Sequence, residues 1–339
     1  MLALITGATG FLGSHILRQW LAESHTARAL YRSPAKLRLI ADLPFEALPG
    51  DLDDVAALEA ACAGCDVVFH VAAKADYWKD SDREALWRIN VEGTRNLLAA
   101  AQQAGVPRVI FTSSASAIGI RPGRALADED TAFNLRPQQF YYAYTKQQAE
   151  AVAAEFVAGG LDVVTVNPTV IIGPGDLNAI SGSFVIETAR WQWLLPSSGG
   201  GLAVIDVRDV ARAHLAAVKK GAAGDRYILN AANLSYSDFF RLIARACDVR
   251  PPLLTMPDWL LEPTARSIEG LRRLGISTPL DADQARLGGK YVYFDGGKSE
   301  RELCPPQIDI ETSLRDTYSW YAQHGYIQRN WLTRLIGWL

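Results

Sequence analysis

The sequence predicts a parallel, doubly wound α/β sheet that carries a smaller, discontinuous and mostly helical cap. Three observations lead to that expectation. Short apolar runs alternate with longer amphipathic segments through the first 170 residues, the pattern of strand–helix–strand units on a parallel sheet. A run such as DVVFHVAA is continuously apolar, as a strand covered on both faces should be. After Pro168 the alternation breaks into Gly/Pro/Asn-rich and then proline-punctuated sequence.

The elements follow in chain order. LALIT (2–6) reads as the first strand. FLGSHILRQWLAE (11–23) reads as a helix, because Ile16, Leu17, Trp20 and Leu21 recur at helical spacing. ARALYR (27–32) is a second strand, a third precedes GDLDD (50–54), and DVVFHVAA (66–73) is the fourth. NVEGTRNLLAAAQQAG (90–105) is a helix closed by Gly105, and RVIFTSS (108–114) is the next strand. YYAYTKQQAEAVAAEFVAGG (141–160) is a helix with a glycine stop, and DVVTVNP (162–168) is another strand. IIGPGDLNAISGS (171–183) reads as loop, and 232–290 as largely helical. Residues 1–170 are thus expected to form the main unit, with 203–231 returning to its sheet through LAVIDV (202–207) and RYILNA (226–231). Residues 171–202 and 232–330 make the cap, and 331–339, WLTRLIGWL, an apolar tail that docks or meets another copy.

Bulk composition removes several function classes. Of 339 residues, 49% are apolar and 21% charged, ordinary for a soluble globular chain. A net charge of -3 gives no electrostatic case for nucleic acid or an anionic membrane. No apolar run reaches the length of a membrane span, and MLALITGATG lacks the charged start of a signal peptide. Cys62 and Cys65 form a CxxC, but no second cysteine pair or histidine cluster completes a metal site. The expectation is a cytoplasmic protein without metal.

Chemistry concentrates in a few motifs. TGATGFLG (6–13) follows the first strand and opens the first helix, with Gly7, Gly10 and Gly13 spaced around Thr9, Phe11 and Leu12. Glycines there allow a tight turn and close approach of a pyrophosphate to free helix N–H groups. The second strand ends in LYRSPAK, with Arg32 and Lys36 where a carboxylate would otherwise hold the adenosine ribose. Guanidinium binds phosphate bidentately, so NADP(H) is the expected cofactor, with NAD(H) as the alternative. Asp51 and Leu52 fall where an adenine could rest. Val71, Ala72 and Ala73 are small enough for close cofactor approach, whereas His70 reads as a packed core residue.

FYYAYTKQQ (140–148) offers three tyrosines to one lysine. Only Tyr142 stands four residues before Lys146 and shares its face. A lysine one turn away would pull a tyrosine below its usual pKa of about 10 and fit it for proton transfer near neutrality. Ser114, at the carboxyl end of its strand, could hold the substrate oxygen, and Asn90 could support the lysine through a water.

TGATGFLG, the FTSS strand, Tyr142-x-x-x-Lys146 and VNPTVIIGPGD together resemble the extended short-chain dehydrogenase/reductases, of Rossmann fold. IDVRDVARAH and FDGGKSERELC extend the likeness over nearly the whole chain. RALYRSP, FHVAAKADYW and FTSSASA look most like the branch of dihydroflavonol reductase-like and hopanoid-associated epimerase-like proteins. The resemblance implies that Tyr142 is the general acid/base and that Lys146 lowers its pKa and holds the nicotinamide ribose. It further implies that Ser114 polarises the carbonyl, that the three glycines cradle the pyrophosphate, and that Pro168 begins the segment meeting the nicotinamide amide.

Among reactions on this fold, dehydration lacks its carboxylate pair, because Ala115, Ser116 and Ala117 follow Ser114. A sugar-nucleotide epimerase holding NAD would usually place an arginine where Leu202 stands, although Arg208 or Arg286 could substitute. A non-catalytic NADP sensor would have no need of the tyrosine–lysine pair. The favoured reading is an NADP(H)-dependent interconversion of a carbonyl and an alcohol on a small-molecule substrate. Trp78, Phe184, Trp191 and Trp193 are candidates for an aromatic pocket, with ordinary core packing as the alternative. A homodimer is expected by analogy with the fold alone.

Overall fold

The computed structural model describes residues 1–75, 82–138, 140–192, 196–276 and 282–327. The main unit begins with β1 (Leu2–Thr6), α1 (Phe11–Ala22), β2 (Thr26–Tyr31), β3 (Glu46–Pro49), α2 (Val55–Cys62) and β4 (Val67–His70). It continues through α3 (Arg83–Trp87), a π-turn at Arg88–Glu92, α4 (Gly93–Gln103), β5 (Val109–Thr112), α5 (Tyr141–Ala158) and β6 (Val163–Pro168). There follow β7 (Val170–Ile172), α6 (Ser183–Trp191), β8 (Ser197–Ser198), β9 (Gly201–Asp206), α7 (Val207–Lys220), β10 (Arg226–Leu229) and β11 (Ala232–Ser235). The chain closes with α8 (Tyr236–Ala246), β12 (Thr255–Met256), α9 (Asp258–Arg273), α10 (Ala282–Leu287), β13 (Tyr291–Val292), α11 (Gly297–Glu302) and α12 (Ile310–Gln323).

Seven strands form one sheet in the order β10-β6-β5-β4-β1-β2-β3, every neighbouring pair parallel. The chain runs outward from β1 to β3, then restarts at β4 on the other side. That reversal opens a crevice at the carboxyl ends of β1 and β4, where open α/β sheets bind ligands. One face of the sheet buries Ile16, Leu17 and Trp20 of α1 with Val207 and Val210 of α7. The other buries Leu58, Leu97, Leu98 and Val152 of α2, α4 and α5. Both faces are covered, which explains the unbroken apolar strands.

The return of 203–231 to this sheet is only half as expected. β10 pairs with β6, and α7 packs on α1. β9 instead joins a second sheet, parallel to β7 and β13 and antiparallel to β11. Its six residues are all buried, so its apolar pattern looks the same in either sheet. The segment 171–183, expected as loop, begins with β7 of that second sheet. Behind it, α6, α8 and α12 enclose a separate cap core containing Val185, Phe239, Leu314 and Tyr321. Among the described residues no helix is long and apolar enough to cross a membrane. Trp78, Trp193 and the tail 331–339 lie outside the described residues.

Candidate active site

The crevice is one cavity of about 1450 Å³, running from the β1–α1 turn into the cap. That exceeds the roughly 300–1,000 Å³ of a pocket for a single ligand. At its inner end the glycines pack backbone against backbone. Gly7 has φ +73°, and a Cβ there would lie 2.8 Å from the Ala72 nitrogen. A Cβ on Gly13 would lie 2.1 Å from the Gly7 carbonyl oxygen. No larger residue fits either position, so α1 starts hard against the strand ends with its first N–H groups facing the crevice. Thr6 ties the two strands together, its Oγ1 accepting from Val71 N and Ala72 N at 3.1 Å each.

Thr9, Gly10, Phe11, Leu12, Val71, Ala72, Ala73 and Pro168 line the same cavity. Arg32 and Lys36 line its outer end, exposed beyond β2 and without an ion-pair partner among the described residues. Asp51 and Leu52 complete that end, the Asp51 carboxylate accepting from Asp53 N and fixing the turn. This surface fits a dinucleotide: free helix N–H groups at the centre, small residues around them, and cations at the adenosine end.

His70 is a core residue. It bridges Thr6 and Thr94 at 3.1 and 2.9 Å, and burial pushes its pKa down to about 3. Thr94 donates to Asn90 O, so the His70 Nε2 proton points at Thr94 and Nδ1 accepts from Thr6.

Tyr142, Lys146 and Ser114 all line this cavity. Of the three tyrosines on α5 only Tyr142 lines it. Tyr141 lies under the Arg83 guanidinium and beside the Tyr144 ring, and Tyr144 also meets Trp87. Lys146 is 3% exposed. Its Nζ donates to Thr112 O at 2.8 Å and stands 5.2 Å from the Phe111 ring centre. Burial pulls its pKa down to about 8, while the Glu150 carboxylate works in the opposite direction. Ser114 caps a short turn, its Oγ accepting from Ser116 N and Ser116 Oγ at 3.2 and 2.9 Å.

Asn90, expected among the cofactor contacts, is the exception. It lies behind the wall, 1% exposed, and is absent from the cavity lining. Its side chain exchanges hydrogen bonds with the Lys74 backbone and donates to Thr145 Oγ1. It sits in the π-turn, which rotates it inward, and so braces the loop after β4 against α5.

Beneath the cleft is a polar cluster that escaped the sequence reading. Glu150 Oε1 accepts from Ser113 Oγ and Asn167 Nδ2, and its Oε2 accepts from Arg226 at 3.1 Å. Asn167 Nδ2 also donates to Ser114 O at 3.0 Å. One carboxylate thus joins α5 to the ends of β5, β6 and β10. The available signal was its spacing, four residues after Lys146 and eight after Tyr142.

An α/β crevice of this geometry, with a glycine cradle on one side and a serine, tyrosine and lysine on the other, belongs to the dinucleotide-dependent enzymes. Residues 3–232 match the model described as the NAD dependent epimerase/dehydratase family. The chain belongs to that family and is an NAD(P)-dependent oxidoreductase of the extended short-chain dehydrogenase/reductase type. A Synechocystis sp. relative with a provisional dihydroflavonol 4-reductase name is 37% identical over 331 residues, 96% of this chain and 95% of its own. The crystal structure of gox2253 superposes with a TM-score of 0.84 at 32% identity, covering 96% of this chain and 99% of that one. A structure described as a nucleoside-diphosphate-sugar epimerase from Pseudomonas aeruginosa has TM-score 0.80 at 26% identity, with 97% and 99% covered.

Proposed function

We propose that the protein is an NADP(H)-dependent reductase that interconverts a carbonyl and an alcohol on the Ser114–Tyr142–Lys146 set. The observation that supports this reading is that those three side chains line the same cavity as the glycine turn between β1 and α1. Bound NADPH supplies the hydride. Ser114 orients the substrate oxygen, Tyr142 gives that oxygen its proton, and the Lys146 charge makes the tyrosine a stronger acid.

Two features favour a reductase over a sugar-nucleotide epimerase. Arg32 and Lys36 line the cavity beyond β2, and two cations there favour a 2′-phosphate. The arginines that could replace Leu202 in gripping a diphosphate are engaged away from the cavity wall. Arg208 pairs with Asp206 and Asp316, and Arg286 with Glu262 and Glu269. Tyr142→Phe should lower kcat by about 10²-fold or more with NADPH binding little changed. Near-normal turnover in that variant would sink the mechanism.

A further inference from the structure

Helix α9 has two apolar faces, and the fold of one chain uses only one of them. On the inner face, Ala265 is buried against Ala282 and Ala285 of α10, while Leu261, Thr264 and Ile268 line the cavity. On the outer face, Trp259, Pro263, Ser267, Gly270 and Leu274 follow one another three or four residues apart, the spacing of a single helical stripe. All five are exposed. Trp259 is 72% exposed and Leu274 78%, and Leu271, bordering the stripe, 40%. A protein rarely leaves its largest apolar side chains in water without a use for them.

The order of residues along the stripe says what covers it. Large side chains stand at the two ends, Trp259 and Leu274, with small or compact ones between. Reversed, the pattern is the same: about a centre at Ser267, Trp259 maps onto Leu274 and Pro263 onto Gly270. An isologous two-fold contact requires that self-complementarity. Charge runs along the helix in the matching sense. Asp258 and Glu262 lie toward its start and Arg272 and Arg273 in its last turn, with Arg266 and Glu269 between. Two such helices laid antiparallel bring an acidic end against a basic end, which attracts at both ends at once. A lipid surface offers no such match, because its phosphates would meet Asp258 and Glu262 beside the tryptophan. The stripe exposes on the order of 500 Å², so two copies reach the roughly 1,000 Å² that a specific interface needs.

We propose that two copies of this chain associate through α9, antiparallel about a two-fold axis near Ser267, with Trp259 against Leu274 of the partner subunit. The pair of helices then stands between two cavities, each α9 walling its own with Leu261, Thr264 and Ile268. The contact uses no residue of the Ser114–Tyr142–Lys146 set and does not depend on the reductase reading.

The test is sedimentation equilibrium of the full chain. The native chain should reach twice the monomer mass with a Kd in the micromolar range or tighter, as about 1,000 Å² of interface commonly gives. Leu274→Arg, at an exposed position, should weaken association at least 100-fold with the circular dichroism spectrum unchanged. Asp258→Lys and Arg273→Glu should each weaken it about 10-fold, and the two together should recover most of the loss, the signature of opposed charges. A native chain that stays monomeric up to about 100 µM overturns the proposal. So does a dimer that Leu274→Arg leaves intact, or a charge swap that restores nothing. Flotation of a monomeric native chain with phosphatidylcholine vesicles, lost in Trp259→Ser, would give the face to lipid and also overturn it.

Discussion

Lys146 shows how one residue is tuned by its surroundings. Burial strips water from its ammonium, and a single carbonyl, Thr112 O, replaces part of that solvation. Glu150 on the same helix opposes the loss of charge. Glu150 is itself held by Ser113, Asn167 and Arg226, and His70, the titratable neighbour on β4, stays neutral. If the lysine must be charged to act, kcat/KM of the free enzyme should fall as pH rises through about 8. Glu150→Gln removes the charge that raises the lysine's pKa, so this alkaline limb should move to lower pH, by roughly half a unit to one unit. The measurement is a pH–rate profile of both proteins, and an unmoved limb would refute the coupling. At the other end of the cleft, Arg32→Ala should cost about 10- to 100-fold in NADPH affinity, the worth of a charged hydrogen-bonded contact. NADH affinity should change little; equal losses for both cofactors would refute the phosphate assignment. Tyr142 and Lys146 were legible in the sequence because helical spacing is a local property. Glu150 was not, because its meaning comes from Asn167 and Arg226, distant in the chain.

At the scale of elements, the β1–α1 turn leaves the least freedom. A methyl on Gly13 would overlap the Gly7 carbonyl, so α1 would have to move away from β1. Gly13→Ala should therefore abolish NADPH binding and lower Tm, as fluorescence titration and calorimetry would show. Gly270 makes the contrast: exposed in α9, with nothing within 4 Å of an added Cβ. Gly270→Ala should stabilise the fold by about 0.5–1 kcal/mol; a loss of stability in urea unfolding would refute that. The turn was readable because strand, glycines and helix are consecutive. β9 was assigned to the wrong sheet because an apolar run records that it is buried, not against what.

At the scale of the whole molecule, two neutral histidines lie in the core. His70 spans β1 and α4, while His214 accepts from Thr112 and donates to Val210 O, both bonds 2.8 Å. Burial lowers their pKa values to about 3 and about 4. Between pH 6.5 and about 4 the unfolded chain takes up protons that the folded chain refuses. Stability therefore falls as pH falls through that window, by up to about 1.4 kcal/mol per pH unit for each histidine. His214→Gln should flatten the slope of unfolding free energy between pH 7 and 5, and an unchanged slope would show that His214 is not responsible. The parallel sheet and a crevice at its carboxyl edge followed from alternation and from the place of the glycine turn. The cap end of the cavity did not, because its walls come from α6, α8, α9 and α10, which no local pattern brings together.

The position of β10 has a consequence for the chain as it is made. β6 ends at Pro168, and the strand that covers its outer edge arrives only with Arg226–Leu229. Until then a nascent chain carries an open row of backbone donors and acceptors, the kind of edge that pairs with other chains. The glycine cradle, the tyrosine and the lysine have all emerged by that point, whereas Leu261, Ile268 and Leu287 have not. The ribosome thus delivers the half with the glycine turn before the cap, with β10 closing the first sheet before the cap is complete.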